Sequence, residues 1–170
     1  MVELSIRRKG EVRKLLNKTP ILACKMEGKK ETGNVYVELE LENYADRVLA
    51  KRGYLDQEAV RAQKVKVLAD TGSTMLVLPE DLVDALGLER QGKVVAIYAD
   101  ERKEERDTAG VNTVRVAGRS METRCVVGPP GSEPLLGQIV LEELDLLVDS
   151  KERKLVPKPE SPYLPTLKLK

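Results

Sequence analysis

A chain of 170 residues with 29 Lys and Arg against 28 Asp and Glu suffices for one domain with a sizeable core. At net charge +1 it is too nearly neutral to bind nucleic acid or membrane through its overall field. Histidine is absent, which removes Ser–His and Cys–His nucleophiles, the usual zinc sites and histidine acid–base catalysis together and leaves carboxylates as the instrument of any hydrolytic chemistry.

Residues 1–30 hold nine Lys and Arg against three Glu. Val12, Leu15 and Leu16 fit one face of a short helix from Gly10 to Lys18. Thr19-Pro20 ends it, and Ile21-Leu22-Ala23 reads as a short strand. The expectation for residues 1–32 is a solvated basic extension. The alternative is an arm that docks on an acidic partner or nucleic acid, although no aromatic residues interleave with these charges to stack on bases. No apolar segment of secretory type follows the basic start. No stretch approaches the ~20 apolar residues that span a bilayer, so a soluble, cytoplasmic protein is expected. Cys24 and Cys125 lie far apart without a Cys-x-x-Cys pattern and read as two reduced thiols rather than a disulfide.

Val35 to Leu41 alternates apolar with polar residues, the period of a half-buried strand. From Asn43 to Gln63 the pattern turns helical and charged. Gly53 interrupts it, and Asp56 is placed to cap a second short helix through Glu58 and Val60. This excursion is assigned no chemistry. Lys64 to Leu68 is the next strand, and it runs into Ala69-Asp70-Thr71-Gly72-Ser73 before a second apolar run, Met75 to Leu78. One carboxylate thus stands at the mouth of a turn between two buried strands. Burying a charge is costly unless it is paired, so Asp70 needs a partner or a task; Asp-x-Gly taken alone is also ordinary turn chemistry.

Pro79 suits a first helical position, Glu80 and Asp81 suit the positive end of a helix dipole, Leu82, Val83 and Leu86 share a face, and Gly87 ends the helix. Lys93 to Tyr98 reads as a strand and Thr113 to Val116 as its return, with the charged stretch Ala99 to Arg106 between them. Gly118-Arg119 marks a hairpin turn, Thr123 to Val127 a strand, and Gly128-Pro129-Pro130-Gly131 a hard break. Pro134-Leu135-Leu136-Gly137-Gln138 follows, then an apolar stretch from Ile139 to Leu147 and a late strand from Leu144 to Val148. Asp107-Thr108-Ala109-Gly110 and Asp149-Ser150-Lys151 echo the Asp70 motif without its glycine, and both read as turns. From Pro157 onward the prolines and the Leu–Lys alternation give an extended tail.

Apolar-apolar-Ala-Asp70-Thr71-Gly72-Ser73 followed by Leu76-Val77-Leu78-Pro79, with Leu135-Leu136-Gly137 and a short helix downstream, resembles the retropepsin-like aspartic proteases, in their soluble single-domain prokaryotic form. The resemblance covers Val35 to Pro157 and implies a mostly β half-barrel, the acid protease fold, with one or two short helices. It divides the chain into a basic extension (1–32), a protease domain (33–157) and a Pro-rich tail (158–170). It also implies an endopeptidase that acts on peptide or unfolded protein without metal or cofactor. One Asp70 from each of two subunits would form the catalytic dyad, since a two-lobed enzyme needs two such motifs and about twice the length. Thr71 would bond across the two-fold axis, Gly72 would bring its N–H against the carboxylate, and Ser73 would bond its outer oxygen. Leu135, Leu136 and Tyr98 would line the substrate cleft. Gln138 stands where retroviral members carry Arg. The segment from Ala99 to Arg106 occupies the place of the flap, which is glycine-rich in familiar members and charged here. Two other readings stay open: a homodimeric peptide-binding module without catalysis, and a nucleic-acid binder acting through the basic arm.

Overall fold

The computed structural model describes residues 33–169. The helix, the strand and Cys24 expected within residues 1–32 lie outside the described residues. Strand β1 (Val35–Asn43) buries Val35, Leu39 and Leu41 and exposes Tyr36 and Glu38, as its alternation requires. It pairs antiparallel with β2 (Ala62–Ala69), Val35 opposite Ala69. Further strands are β3 (Leu76–Pro79), β4 (Glu89–Ile97), β5 (Lys103–Val116), β6 (Arg119–Gly128) and β7 (Leu135–Leu136). These seven form one sheet in the order β1-β2-β7-β3-β6-β5-β4. The far end of β1 also pairs with β5, Glu40 opposite Arg115, which closes the sheet on itself around a Leu- and Val-rich core. A separate hairpin, β8 (Leu146–Asp149) with β9 (Lys154–Pro157), follows. The protein is mostly β, with three short α-helices among the described residues where one or two were expected: α1 (Tyr44–Lys51), α2 (Glu80–Ala85) and α3 (Gln138–Glu143).

The excursion after β1 is anchored by Asn43. Its side-chain oxygen accepts the Asp46 N–H at 3.1 Å and so caps α1. Its amide nitrogen donates to the carbonyls of Leu86 (2.9 Å) and Gly87 (3.1 Å), which ties the end of α2 to α1. Asp56 does not cap a second helix through its side chain. It precedes a single 3₁₀ turn, Gln57–Ala59, whose Ala59 N–H bonds the backbone carbonyl of Asp56 instead. Pro79 sits one position before α2 in extended conformation, and Gly87 leaves the helix with φ +60°, a conformation open to glycine.

Asp107 to Gly110 is not a turn. It lies inside β5, between β4 on one side and β6 on the other. Two ladders of backbone hydrogen bonds outweigh the local turn preference of Asp and Gly. The glycine signal survives as a register shift between Ala109 and Asn112. Asp149-Ser150-Lys151 is a turn, with the Asp149 carboxylate accepting the N–H groups of Lys151 and Glu152.

Charged groups hold the periphery. Glu42 is buried and accepts two bonds from Arg47 (2.9 and 2.6 Å) and one from Arg115 (3.2 Å); the Arg47 bonds chiefly hold its carboxyl below the ordinary value of 4.5 against the cost of burial. Burial also opposes ionisation of Asp46, but bonds from the Arg61 side chain and backbone prevail and lower it below 3.8. Buried Arg119 donates to the carbonyls of Leu144, Asp145 and Ser161 and so fastens the chain after β9. Asp145 accepts the Thr166 N–H (2.7 Å) and the Lys158 ammonium (3.0 Å), which bring its carboxyl down to about 2.

These three carboxylates titrate lower folded than unfolded, so their stabilisation is complete above the unfolded values and is lost as pH falls through the folded ones. The urea midpoint is therefore expected to hold steady from pH 7 to 5 and to fall between about pH 4.5 and 2, and Asp145→Asn is expected to flatten the lower part of that fall. Asn43→Ala, which removes a cap and leaves two carbonyls without their donor, is expected to cost about 2–3 kcal/mol in a denaturant titration at pH 7.

Candidate active site

Asp70 stands at the end of β2, and strand alternation sets its direction. Val65, Val67 and Ala69 face the core, so Leu68 and Asp70 face the opposite side. Its backbone is pinned by β7. The Leu68 N–H donates to the Pro134 carbonyl and the Asp70 N–H to the Leu136 carbonyl, both at 3.0 Å, in parallel register. Gly72 then turns its N–H back onto the Asp70 Oδ1 at 2.9 Å. A Cβ on Gly72 would lie 3.2 Å from that same oxygen, so glycine keeps the approach open. The Ser73 N–H closes the turn on the Asp70 carbonyl at 3.2 Å. The carboxylate is half-buried and Thr71 is exposed.

A second segment crosses this turn. Gln138 and Ile139, the first residues of α3, donate their N–H groups to the carbonyls of Ser73 (2.7 Å) and Thr74 (3.0 Å). Helix N–H groups without partners inside the helix thereby satisfy the turn. Gly137 makes the crossing possible, because a Cβ there would stand 2.3 Å from the Met75 carbonyl oxygen and 2.6 Å from its carbon. The motif at Asp70 and the Leu-Leu-Gly motif more than sixty residues later are thus one structure, with the two-residue β7 wedged between β2 and β3.

Ser73 departs from expectation. Its hydroxyl donates to the Met75 carbonyl at 3.2 Å, so it braces the turn rather than the carboxylate. Leu136 is fully buried among core residues and offers no surface to a cleft. Half-buried Leu135, the parallel partner of Leu68, points to the opposite side. Gln138 bonds Glu142 within its own helix. Sequence reasoning missed Tyr36, the cross-strand partner of Leu68, and Glu133, which accepts the Tyr36 hydroxyl at 2.8 Å. The alternation in β1 puts Tyr36 on the outer face, but only the register places it beside Leu68.

The β4–β5 hairpin carries the charged stretch at its tip. Glu101 adopts φ +64°, where glycine is the usual residue, and the Asp100 carboxylate accepts the Arg102 N–H. Tyr98 is cross-braced: its hydroxyl bonds Arg106 (3.1 Å) and Glu104 (3.2 Å), and Arg102 lies 4.5 Å from its ring centroid. Val95 and Ile97 stand exposed on the other face. Cys125 lies in the core, its thiol pushed up to about 12 by burial, with no role as a nucleophile. Among the described residues no group of three or more His, Cys, Asp and Glu is arranged to hold a metal ion, and no helix is long and apolar enough to cross a membrane. A groove of about 370 Å³ lined by Glu38, Glu40, Lys64 and Arg115 lies on the barrel away from Asp70.

The family profile described as "gag-polyprotein putative aspartyl protease" matches residues 58–143, which span both crossing segments. The chain belongs to this retropepsin-like aspartic protease family. Among solved structures, the EIAV protease complexed with the inhibitor HBY-793 is 17% identical, with a TM-score of 0.47 over 68% of this chain and 92% of that chain. No curated protein matches the sequence.

The crossing yields a direct test. Gly137→Ala must push Met75 backbone away from the turn that holds Asp70, and is expected to cost about 3 kcal/mol or more. The urea midpoint of the variant against that of Gly72→Ala, where only a side-chain oxygen must give way, checks it; Gly137→Ala is expected to be the more damaging.

Proposed function

We propose that this protein is an aspartic endopeptidase that works as a symmetric homodimer, with Asp70 of each subunit forming one dyad on the two-fold axis. The observation that carries the reading is the carboxylate of Asp70 held outward from the barrel by the Gly72 N–H, on a turn locked by the crossing of β7 and α3. A single carboxylate can take a proton from water but cannot also deliver one to the scissile carbonyl. Two carboxylates sharing one proton do both. The ionised member deprotonates the attacking water, and the protonated member donates to the carbonyl oxygen as the tetrahedral intermediate forms. The intermediate then collapses as a proton reaches the leaving nitrogen. Each Gly72 N–H supplies a fixed hydrogen bond to the charged form. Thr71, exposed at the turn, is assigned the bond across the axis, and Leu135 and Tyr98 are assigned to the substrate cleft.

The cross-braced hairpin tip favours a second reading, a dimer on the same fold that binds peptide without cutting it. Digestion of unfolded protein separates the two. The peptidase reading expects cleavage with a bell-shaped pH profile that falls on the alkaline side, and complete loss in Asp70→Asn. An equal mixture of wild type and Asp70→Asn, after proven subunit exchange, is expected to retain about a quarter of the activity of the same total wild-type protein, because random pairing leaves about a quarter of dimers with two Asp70 residues. Retention of about one half means that each subunit acts alone and overturns the dyad.

A further inference from the structure

We infer that Glu133 makes the wall beside Asp70 selective for substrates with a basic side chain next to the scissile bond. The inference rests on the peptidase reading above and adds a substrate class to it. Leu68 lies two residues before Asp70 on the same face of β2, about 7 Å along the strand. Tyr36 is its antiparallel partner and Leu135 its parallel partner. Leu68 and Leu135 are half-buried, and Tyr36 is more exposed. They form a short apolar floor that leads to the carboxylate. An extended peptide lying across Asp70 sets one side chain on this floor.

The rim of the floor is charged. The Tyr36 hydroxyl donates to Glu133 Oε1 at 2.8 Å, which fixes the carboxylate at the edge of the floor and engages one of its two oxygens. Among the described residues, Lys66 also lies near the floor. Its ammonium lies 5.1 Å from the Tyr36 ring centroid, and its strand neighbour across β1 is the exposed Glu38. Among the described residues, the Glu38–Lys66 cross-strand pair lies two positions further along β1 and β2, and Glu133 is the carboxylate oriented by the floor itself. A lysine or arginine side chain suits such a site: its methylenes cover Leu68 and Leu135, and its cationic head reaches Glu133 Oε2. A carboxylate side chain there meets like charge. In a two-fold dimer each subunit presents one such wall, so both positions flanking the scissile bond meet a Glu133.

Quenched-fluorescence peptides identical except for Lys, norleucine or Glu at the two flanking positions test this, since lysine and norleucine differ in the charged head and hardly in length. For wild type, kcat/KM is expected to be about tenfold higher with lysine than with norleucine, and lowest with Glu. Glu133→Gln is expected to bring the lysine-to-norleucine ratio close to one, and Glu133→Lys to favour the Glu peptide. Tyr36→Phe, which leaves the carboxylate in place without its tether, is expected to give an intermediate ratio. Cleavage with no lysine preference, or with the preference intact in Glu133→Gln, overturns the role of Glu133 and leaves the peptidase reading standing. If wild type cleaves none of the peptides, calorimetric binding of the same set decides: lysine-selective binding that is lost in Glu133→Gln supports the selectivity and overturns the peptidase, whereas no binding overturns both.

Discussion

The structure depends on one close approach: the backbone of Gly137 against the backbone of Met75. With no Cβ at 137, the chain that leaves β7 passes over the turn that leaves β2, and backbone bonds form on both sides of the crossing. The Leu68 and Asp70 N–H groups are satisfied by Pro134, just before β7, and by Leu136 in it, and the Ser73 and Thr74 carbonyls by the first turn of α3. A turn with these bonds cannot reorient without breaking several of them together. Asp70 is thus positioned both by its neighbours Gly72 and Ser73 and by a segment more than sixty residues later in the chain. On the peptidase reading, that arrangement suits the group, since catalytic groups tolerate little misplacement.

Electrostatics plays a different part at the periphery. The excursion between β1 and β2 packs few apolar side chains, and it is held by Asn43, by the Glu42–Arg47–Arg115 set and by Asp46–Arg61. Glu42 and Asp46 are buried, so their partners are obligatory. The many charges of the composition are therefore not all solvated decoration. On the hairpin the same residue types do another job: Arg102, Glu104 and Arg106 gather around Tyr98 and stiffen a tip that has no glycine.

The alternation in β1 and β2, the Asp-Thr-Gly turn, the helix after Pro79 and the Leu-Leu-Gly segment were legible because each is written in a short window with strong local chemistry. What stayed hidden required register. Asp107 to Gly110 looks like a turn until β4 and β6 take up its backbone groups on both sides. Leu135 and Leu136 are alike in sequence, yet alternation sends one outward and the other fully into the core. Ser73 has a natural partner nearby in Asp70, but its hydroxyl bonds the Met75 carbonyl two residues on instead. Glu133 has no motif at all and becomes visible only through the Tyr36 hydroxyl, 97 residues away.

The chain carries one Asp-Thr-Gly turn, and the two partial echoes of it are spent elsewhere. Asp107 lies within a strand and Asp149 caps the turn before β9 with its own carboxylate. Neither is free to stand against Asp70. On the peptidase reading, the second carboxylate must then come from another copy of the chain, and only a two-fold arrangement places like against like. Two ionised carboxylates at hydrogen-bond distance repel, so on that reading the pair shares one proton. On that reading the Gly72 N–H bonds the carboxylate alike on each side, so the substrate, not the protein, sets which member gives up the proton. On that reading, symmetry in the protein prepares an asymmetric pair, one base and one acid, from two copies of a single residue.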